Sequence, residues 1–280
     1  MKIKSNAKIN LSLKVIGKAM NLFGTGYLHY IESVMVPINI YDYIEINESA
    51  TDEIIGMDIP MESNLMYKAL CKVRDKFKIE KCVKITIDKR IPVFAGLGGG
   101  SGNAASIILA LNEMWGLSMT SEEMINLGKK VGSDVSFFIK NRPSFVYGTG
   151  DKISLIKNFE KIKGILVFDG DKSSTKEVYD NIDEFPFSKP IDKDELNDIV
   201  SNKCNIKCVN DLEKGLNLSM IKKINQIKRD LELCGAKTSL MSGSGGSVFG
   251  IFEDEENKNE CCEKLKNKYK FVCKFETLSQ

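Results

Sequence analysis

Residues 2–15 alternate strictly between apolar and polar positions. Ile3, Ala7, Ile9, Leu11, Leu13 and Val15 fall on one side, and Lys4, Asn6, Lys8, Asn10, Ser12 and Lys14 on the other. A period of two predicts a half-buried β-strand with a solvated polar face. Residues 31–47 read as further strands. The pattern then changes to the helical period over Asn64–Lys76, with Leu65, Ala69, Leu70 and Val73 on one face. Val83–Asp88 is a strand. Helices are expected at 102–115 and 121–131, the second opening on the capping box Thr120-Ser121-Glu122-Glu123. Strand and turn follow over 144–156.

The second half restarts with a strand at Gly164–Phe168. Helices are expected near 175–183 and 192–201. A long amphipathic helix is expected over 208–234, with Leu212, Leu216, Ile221, Ile224, Ile227 and Leu231 on its apolar face. Strands at Leu240–Met241 and Val248–Phe252 flank the turn Ser242-Gly243-Ser244-Gly245-Gly246. A helix near 256–268 and a strand near 270–276 complete the pattern. Strands and helices intermix without a βαβ rhythm, so the expected class is α+β. Two domains are expected, 1–155 and 156–280, with the boundary near residues 150–162.

The chemistry concentrates in Gly96-Leu97-Gly98-Gly99-Gly100-Ser101-Gly102-Asn103, where five glycines fall within seven positions. Glycine lets backbone N–H groups approach a ligand without an intervening Cβ. An apolar helix follows directly, and a helix N-terminus attracts anions through its unpaired N–H groups and dipole. Two familiar phosphate loops are excluded by spacing. A Walker A loop needs Lys and Ser/Thr after its last glycine, where this chain has Asn103-Ala104. A dinucleotide fingerprint starting at Gly96 would need a third glycine at Ser101.

Composition adds exclusions. Forty basic and 38 acidic residues leave a net charge of +2, which offers no field for nucleic acid. No apolar run approaches a membrane span, and the N-terminus lacks the apolar core of a signal peptide. A cytoplasmic protein without a membrane partner is expected. None of the eight cysteines forms a Cys-x-x-Cys pair, and His29 is the only histidine. No zinc or other protein-held metal site is expected, and the cysteines read as free thiols.

The glycine run resembles the second motif of the galactokinase–homoserine kinase–mevalonate kinase–phosphomevalonate kinase (GHMP) superfamily. Its wording is most similar to the branch acting on a cytidine-diphosphate-linked polyol, which has serine where this chain has Gly102. The resemblance implies a ribosomal-protein-S5-like N-terminal domain and a ferredoxin-like C-terminal domain. It implies an ATP- and Mg²⁺-dependent small-molecule kinase that is a monomer or homodimer. Residues 96–103 would hold the ATP phosphates, with Ser101 a helper toward the metal. Asn64-Leu65-Met66-Tyr67-Lys68-Ala69 and Asp88-Lys89-Arg90-Ile91-Pro92 also match the family, with Asn64 and Lys89 on the nucleotide side.

Two more motifs match. Ala7-Lys8-Ile9-Asn10-Leu11 is similar to the family's first motif, which places the lysine at the reacting hydroxyl and the asparagine in the site. Periodicity alone reads the same residues as a solvated strand face. Gly132-Ser133-Asp134-Val135-Ser136-Phe137-Phe138 resembles the segment carrying the family's catalytic Asp, with Ser133 and Ser136 replacing its usual Ala and Pro. The residues alone read Asp134 as a helix N-cap. Ser242-Gly243-Ser244-Gly245-Gly246 resembles the third motif, or is a tight hairpin turn, with Gly243 and Ser244 expected at the substrate.

Gly26-Tyr27-Leu28-His29-Tyr30 is similar to a cytidine-recognition segment with Leu28 inserted. Its partner would be Tyr179, within Ser174-Thr175-Lys176-Glu177-Val178-Tyr179. Tyr27, His29, Thr175 and Tyr179 are therefore the expected base-side residues. His29 is expected in a loop after Gly24-Thr25-Gly26, and a lone histidine can equally be structural. Two other readings stay open: a homoserine- or mevalonate-type kinase, and a non-catalytic nucleotide-binding paralogue.

Overall fold

The structure, a computed structural model, describes residues 1–20, 27–171, 173–201 and 208–278. It resolves into two compact units. The first comprises Met1–Ala7, Ile40–Val93 and Gly98–Asn141, and the second Lys8–Asn39, Phe94–Leu97 and Arg142–Gln280. The units do not follow a single cut near residue 155. Strands β1 (Lys2–Met20) and β2 (Tyr27–Ser49) each contribute to both. The residues expected to form several strands over 31–47 lie in one continuous strand, β2.

In the first unit, β4 (Cys82–Asp88) runs antiparallel to the end of β2, with Tyr43 opposite Asp88 and Ser49 opposite Cys82. The short β3 (Glu53–Ile55) pairs with β4 in parallel. Four helices complete this unit: α1 (Leu65–Phe77), α2 (Gly99–Met114), α3 (Ser121–Gly128) and α4 (Val135–Lys140). In α1, Met66, Ala69, Leu70 and Val73 are buried at helical spacing. Helix α2 is buried nearly all round, because Gly102, Ala104, Ala105 and Ala110 let its neighbours approach. The capping box at Thr120 and Glu123 forms at the start of α3.

In the second unit, Ile31–Met35 of β2 pairs with β5 (Ser144–Gly148), which pairs with β6 (Lys152–Leu155). A separate antiparallel sheet has the order β10-β7-β9-β8. Its strands are β7 (Lys163–Phe168), β8 (Thr238–Met241), β9 (Ser247–Ile251) and β10 (Phe271–Glu276). Helices α5 (Thr175–Ile182), α6 (Lys193–Ser201), α7 (Leu218–Leu233) and α8 (Glu255–Lys266) complete the unit. Its core joins Leu13 and Val15 to Ile165, Val167, Ile224, Ile227, Leu231 and Val248.

Three local expectations are corrected. The helix expected over 208–234 spans only 218–233. Asn217 caps α7 by accepting from Met220 N, while Asn210 caps a separate 3₁₀ turn at Asp211–Gly215. These caps offer the backbone an alternative to one continuous helix. Residues 5–13 are buried on both faces of β1, so its polar face is not solvated. His29, expected in a loop, lies in β2.

Candidate active site

The glycine run divides between the two units. Gly96 and Leu97 belong to the second, and Gly98 to Asn103 to the first. In the first unit, Gly98 is the N-cap of α2 in a left-handed conformation, φ +67°. Gly99 and Gly100 begin the helix, and Ser101 lies in its first turn. At Gly102, a Cβ would sit 2.8 Å from the Asn6 carbonyl oxygen and 3.1 Å from Ser5 Oγ. This close passage of helix and strand explains glycine at the position where the resembled family carries serine.

The entry to this run is anchored by Asp42, which the sequence reading missed. Asp42 is fully buried; one carboxylate oxygen accepts from Arg90 N and Ile91 N at 2.8 Å each. The other accepts from Lys89 Nζ at 2.7 Å. Burial pushes the Lys89 ammonium below the ordinary lysine value, and Asp42 opposes that shift. Lys89 is thus held on Asp42, close enough that a Cβ on Gly99 would lie 3.2 Å from its Nζ.

Three buried polar side chains of this unit contain atoms without a hydrogen-bond partner. They are Ser5 Oγ, Asn64 Nδ2, and both amide atoms of Asn103. Asn64 also caps α1, its Oδ1 accepting from Met66 N at 2.9 Å. Buried polar groups are normally paired, so orphaned ones mark places where a ligand or solvent completes the set. Asn103, 1% exposed and within the first turns of the glycine helix, is the strongest case. Asp134 occupies the N-cap position of α4 but makes no capping hydrogen bond. It follows Gly132, whose Cβ would lie 3.9 Å from Ser101 Oγ.

The second unit gathers the first and third motifs. Lys8 is 3% exposed, and its Nζ donates to Asn10 Oδ1 at 2.5 Å. Asn10 Nδ2 donates to Ser33 Oγ at 2.8 Å, and Ser33 Oγ donates to the Ser12 carbonyl at 2.6 Å. The polar face of β1 is therefore a buried, ordered chain of groups with an ammonium at one end. Lys8 N donates to Leu97 O, which ties this strand to the glycine run.

The turn 242–246 closes on the same run. Ser242 Oγ donates to Gly96 O at 3.1 Å, and Ser247 Oγ to Ala95 O at 2.6 Å. It forms the hairpin between β8 and β9, as the turn reading of this segment expects. Asn210 supports the turn from outside, its Nδ2 donating to Met241 O at 2.9 Å and Gly243 O at 2.8 Å. Glu213 accepts from Met241 N. Neither residue stood out in the sequence, since each acts across about thirty residues. Ser244 meets the start of α5: its carbonyl accepts from Ser173 Oγ, and its hydroxyl lies 2.8 Å from Thr175 Oγ1.

Helix α5 leads to the expected base-side residues. The His29 and Tyr179 rings lie 4.9 Å apart, tilted by 40°. His29 Nε2 is 2.9 Å from Asp183 Oδ1, and Lys18 Nζ donates to Asp183 Oδ2 at 2.8 Å. Burial raises the Asp183 carboxyl, but Lys18 and His29 more than offset it, leaving its pKa below the ordinary value. Tyr27 is 58% exposed, with Lys18 Nζ 4.9 Å from its ring centroid. Gly26 lies outside the described residues.

The chain is similar to known proteins along nearly its whole length. Residues 64–147 match the family model for the GHMP kinases N terminal domain, and residues 191–270 that for GHMP kinases C terminal. The chain is 37% identical to the 4-diphosphocytidyl-2-C-methyl-D-erythritol kinase of Clostridioides difficile, over 97% of this chain and 93% of that one. It is 40% identical to the enzyme of the same name from Acetivibrio thermocellus, over 95% and 94%. Among solved structures it resembles a 4-(cytidine 5'-diphospho)-2C-methyl-D-erythritol kinase, with TM-score 0.85 and 23% identity over the full length of both chains. The mevalonate kinase of Methanococcus jannaschii aligns with TM-score 0.69 and 18% identity, over 100% of this chain and 98% of that one.

Proposed function

The chain belongs to the GHMP kinase family, and on that premise we propose that it phosphorylates the 2-hydroxyl of 4-diphosphocytidyl-2-C-methyl-D-erythritol with ATP. It is a small-molecule kinase of α+β fold. The observation that carries the reading is the buried Lys8–Asn10–Ser33 chain that runs from β1 to β2. A buried lysine at the end of an ordered polar chain suits charge stabilisation at a hydroxyl.

Phosphoryl transfer asks the protein mainly for positioning and charge stabilisation. Lys8 steadies the negative charge developing on the acceptor oxygen. Asp134 accepts or orients the hydroxyl proton. Backbone N–H groups at the start of α2 hold the nucleotide phosphates, with Asn64 and Asn103 offering unsatisfied buried amides beside them. Lys89 acts through Asp42, shaping the entry to the loop. Tyr27, His29, Thr175 and Tyr179 take the cytidine, and Gly243 and Ser244 close on the substrate.

No cluster of three metal-ligating side chains occurs among the described residues. Mg²⁺, which would neutralise charge on the transferred phosphate, would be carried chiefly by the nucleotide, with Ser101 adding a hydroxyl. The proposed family domains are 1–155 and 156–280, with the two family matches on either side of that boundary. The protein is proposed to act in the cytoplasm as a monomer or homodimer; no described helix is long and apolar enough to cross a membrane.

A coupled ADP-release assay tests the reading. It compares the cytidyl substrate with homoserine, mevalonate and no acceptor. Turnover with the cytidyl substrate alone is expected, and Asp134→Asn should lower kcat by about 10²–10⁴-fold while leaving KM for ATP nearly unchanged. Turnover with another alcohol would reassign the acceptor pocket. ATP binding without turnover on any alcohol would favour a non-catalytic paralogue.

A further inference from the structure

We propose that Asp183 sets the base specificity of the acceptor pocket by fixing the tautomer of His29. The proposal rests on the cytidine reading of that pocket and names the device that would discriminate there. Three elements converge on the carboxylate. Lys18 comes from β1, His29 from β2, and Asp183 lies one residue beyond α5, which carries Tyr179. The charged and titratable groups at this corner are Lys18, Asp183, Tyr27 and Tyr179.

A carboxylate can only accept hydrogen bonds, so the imidazole nitrogen facing Asp183 must carry a proton. That nitrogen is Nε2, at 2.9 Å. Lys18 already matches the carboxylate's charge, so a neutral imidazole suffices there. In a neutral imidazole with Nε2 protonated, Nδ1 is an acceptor. An acceptor at a pyrimidine edge distinguishes the two common bases. Cytosine presents an exocyclic amino donor, whereas the corresponding uracil oxygen is itself an acceptor. Asp183 thereby makes the pocket select cytosine without touching the base. The aromatic rings of Tyr27 and Tyr179 offer stacking surfaces that do not distinguish one base from another.

His29 is the only histidine in the chain, so ¹⁵N-histidine labelling reports this one imidazole without assignment. The spectrum would be recorded on the full-length protein at about pH 8, above the ordinary histidine pKa of about 6.5. In parallel, calorimetry would measure binding of CDP, UDP and ATP to the unaltered protein, Asp183→Asn and Asp183→Glu. The Nε2–H tautomer is expected, with CDP preferred over UDP by about ten- to a hundredfold, the range for one misplaced buried hydrogen bond.

Asp183→Asn is nearly isosteric at a partly exposed site, and its amide can donate or accept. It should mix the tautomers and bring the CDP/UDP ratio close to one, with ATP binding unchanged. Asp183→Glu should restore part of the ratio. An Nδ1–H tautomer in the unaltered protein would overturn the proposal. So would an Asn variant that keeps both tautomer and ratio. Equal binding of CDP and UDP before any substitution would sink the cytidine reading and this proposal with it, and no variant is needed to recognise that outcome.

Discussion

The molecule's two glycine turns share positive-φ glycines but differ in how much side chains from elsewhere support them. The run from Gly96 to Gly102 takes its shape chiefly from main-chain geometry: positive φ at Gly96 and Gly98, then a helix that Gly98 starts without a side-chain cap. The turn from Ser242 to Gly246 also contains three glycines at positive φ, but side chains from other segments hold it. Asn210 and Ser173 donate to its carbonyls, and Thr175 meets its serine hydroxyl. A turn that leads into a long helix can be specified by its own residues. A turn between two short strands needs support from outside. Both are sensitive to an added atom, and the second is sensitive to a removed hydrogen bond as well.

Adding one methyl group to the first turn should have the largest effect. At Gly96, φ is +75° and a Cβ would lie 2.0 Å from the Ser242 carbonyl oxygen. An L-residue in this region costs about 1–2 kcal/mol before any clash, and here the obstacle is backbone rather than a flexible side chain. Gly96→Ala is expected to abolish detectable turnover and lower the thermal midpoint. ADP release and calorimetric unfolding would measure both. A variant with near-normal kcat would show that the first turn is more pliable than its geometry implies.

Removing support from the second turn should act more selectively. Asn210 is 5% exposed, and Asn210→Ala strands two carbonyls that its amide now serves. Each buried group left unsatisfied costs about 1–3 kcal/mol. The expected result is a thermal midpoint lowered by several degrees, with KM for the acceptor rising more than KM for ATP. An equal rise in both constants would show that the two turns respond as one body and would remove the contrast.

How much of this could be read in advance follows the same division. The glycine run and the Thr120 capping box were legible because each is specified by residues adjacent in sequence, whereas the helix expected from residue 102 begins at Gly99, inside the glycine run. The polar face of β1 was misread as solvated. Alternation records that Lys8, Asn10 and Ser12 share a face, but not that another part of the chain covers them. Family likeness, rather than period, singled out Lys8. Asp42, Asn210 and Asp183 were missed, and for one physical reason. Each acts on a partner about thirty or more residues away: Asp42 on 89–91, Asn210 on 241–243 and Asp183 on His29. The helix expected over 208–234 failed because apolar spacing continued through Leu212 and Leu216, while Asn210 and Asn217 each began a separate turn.

The smallest effect should come from Thr175→Val, which keeps the side-chain shape and deletes one hydroxyl. The Thr175 Oγ1–Ser244 Oγ contact is exposed, and water can replace it. Its contribution to stability is therefore expected to be under about 1 kcal/mol, within the range of ordinary surface changes. Ser173 still holds the Ser244 carbonyl, so the backbone of the turn stays in place. What the substitution frees is the Ser244 hydroxyl. If that hydroxyl is held in readiness for the acceptor, KM for the acceptor rises severalfold with kcat and KM for ATP unchanged. If the contact only braces the turn against α5, all three constants move together and by little. Steady-state kinetics with each substrate varied in turn separates the two, and shows whether the second turn is positioned for binding or merely for shape.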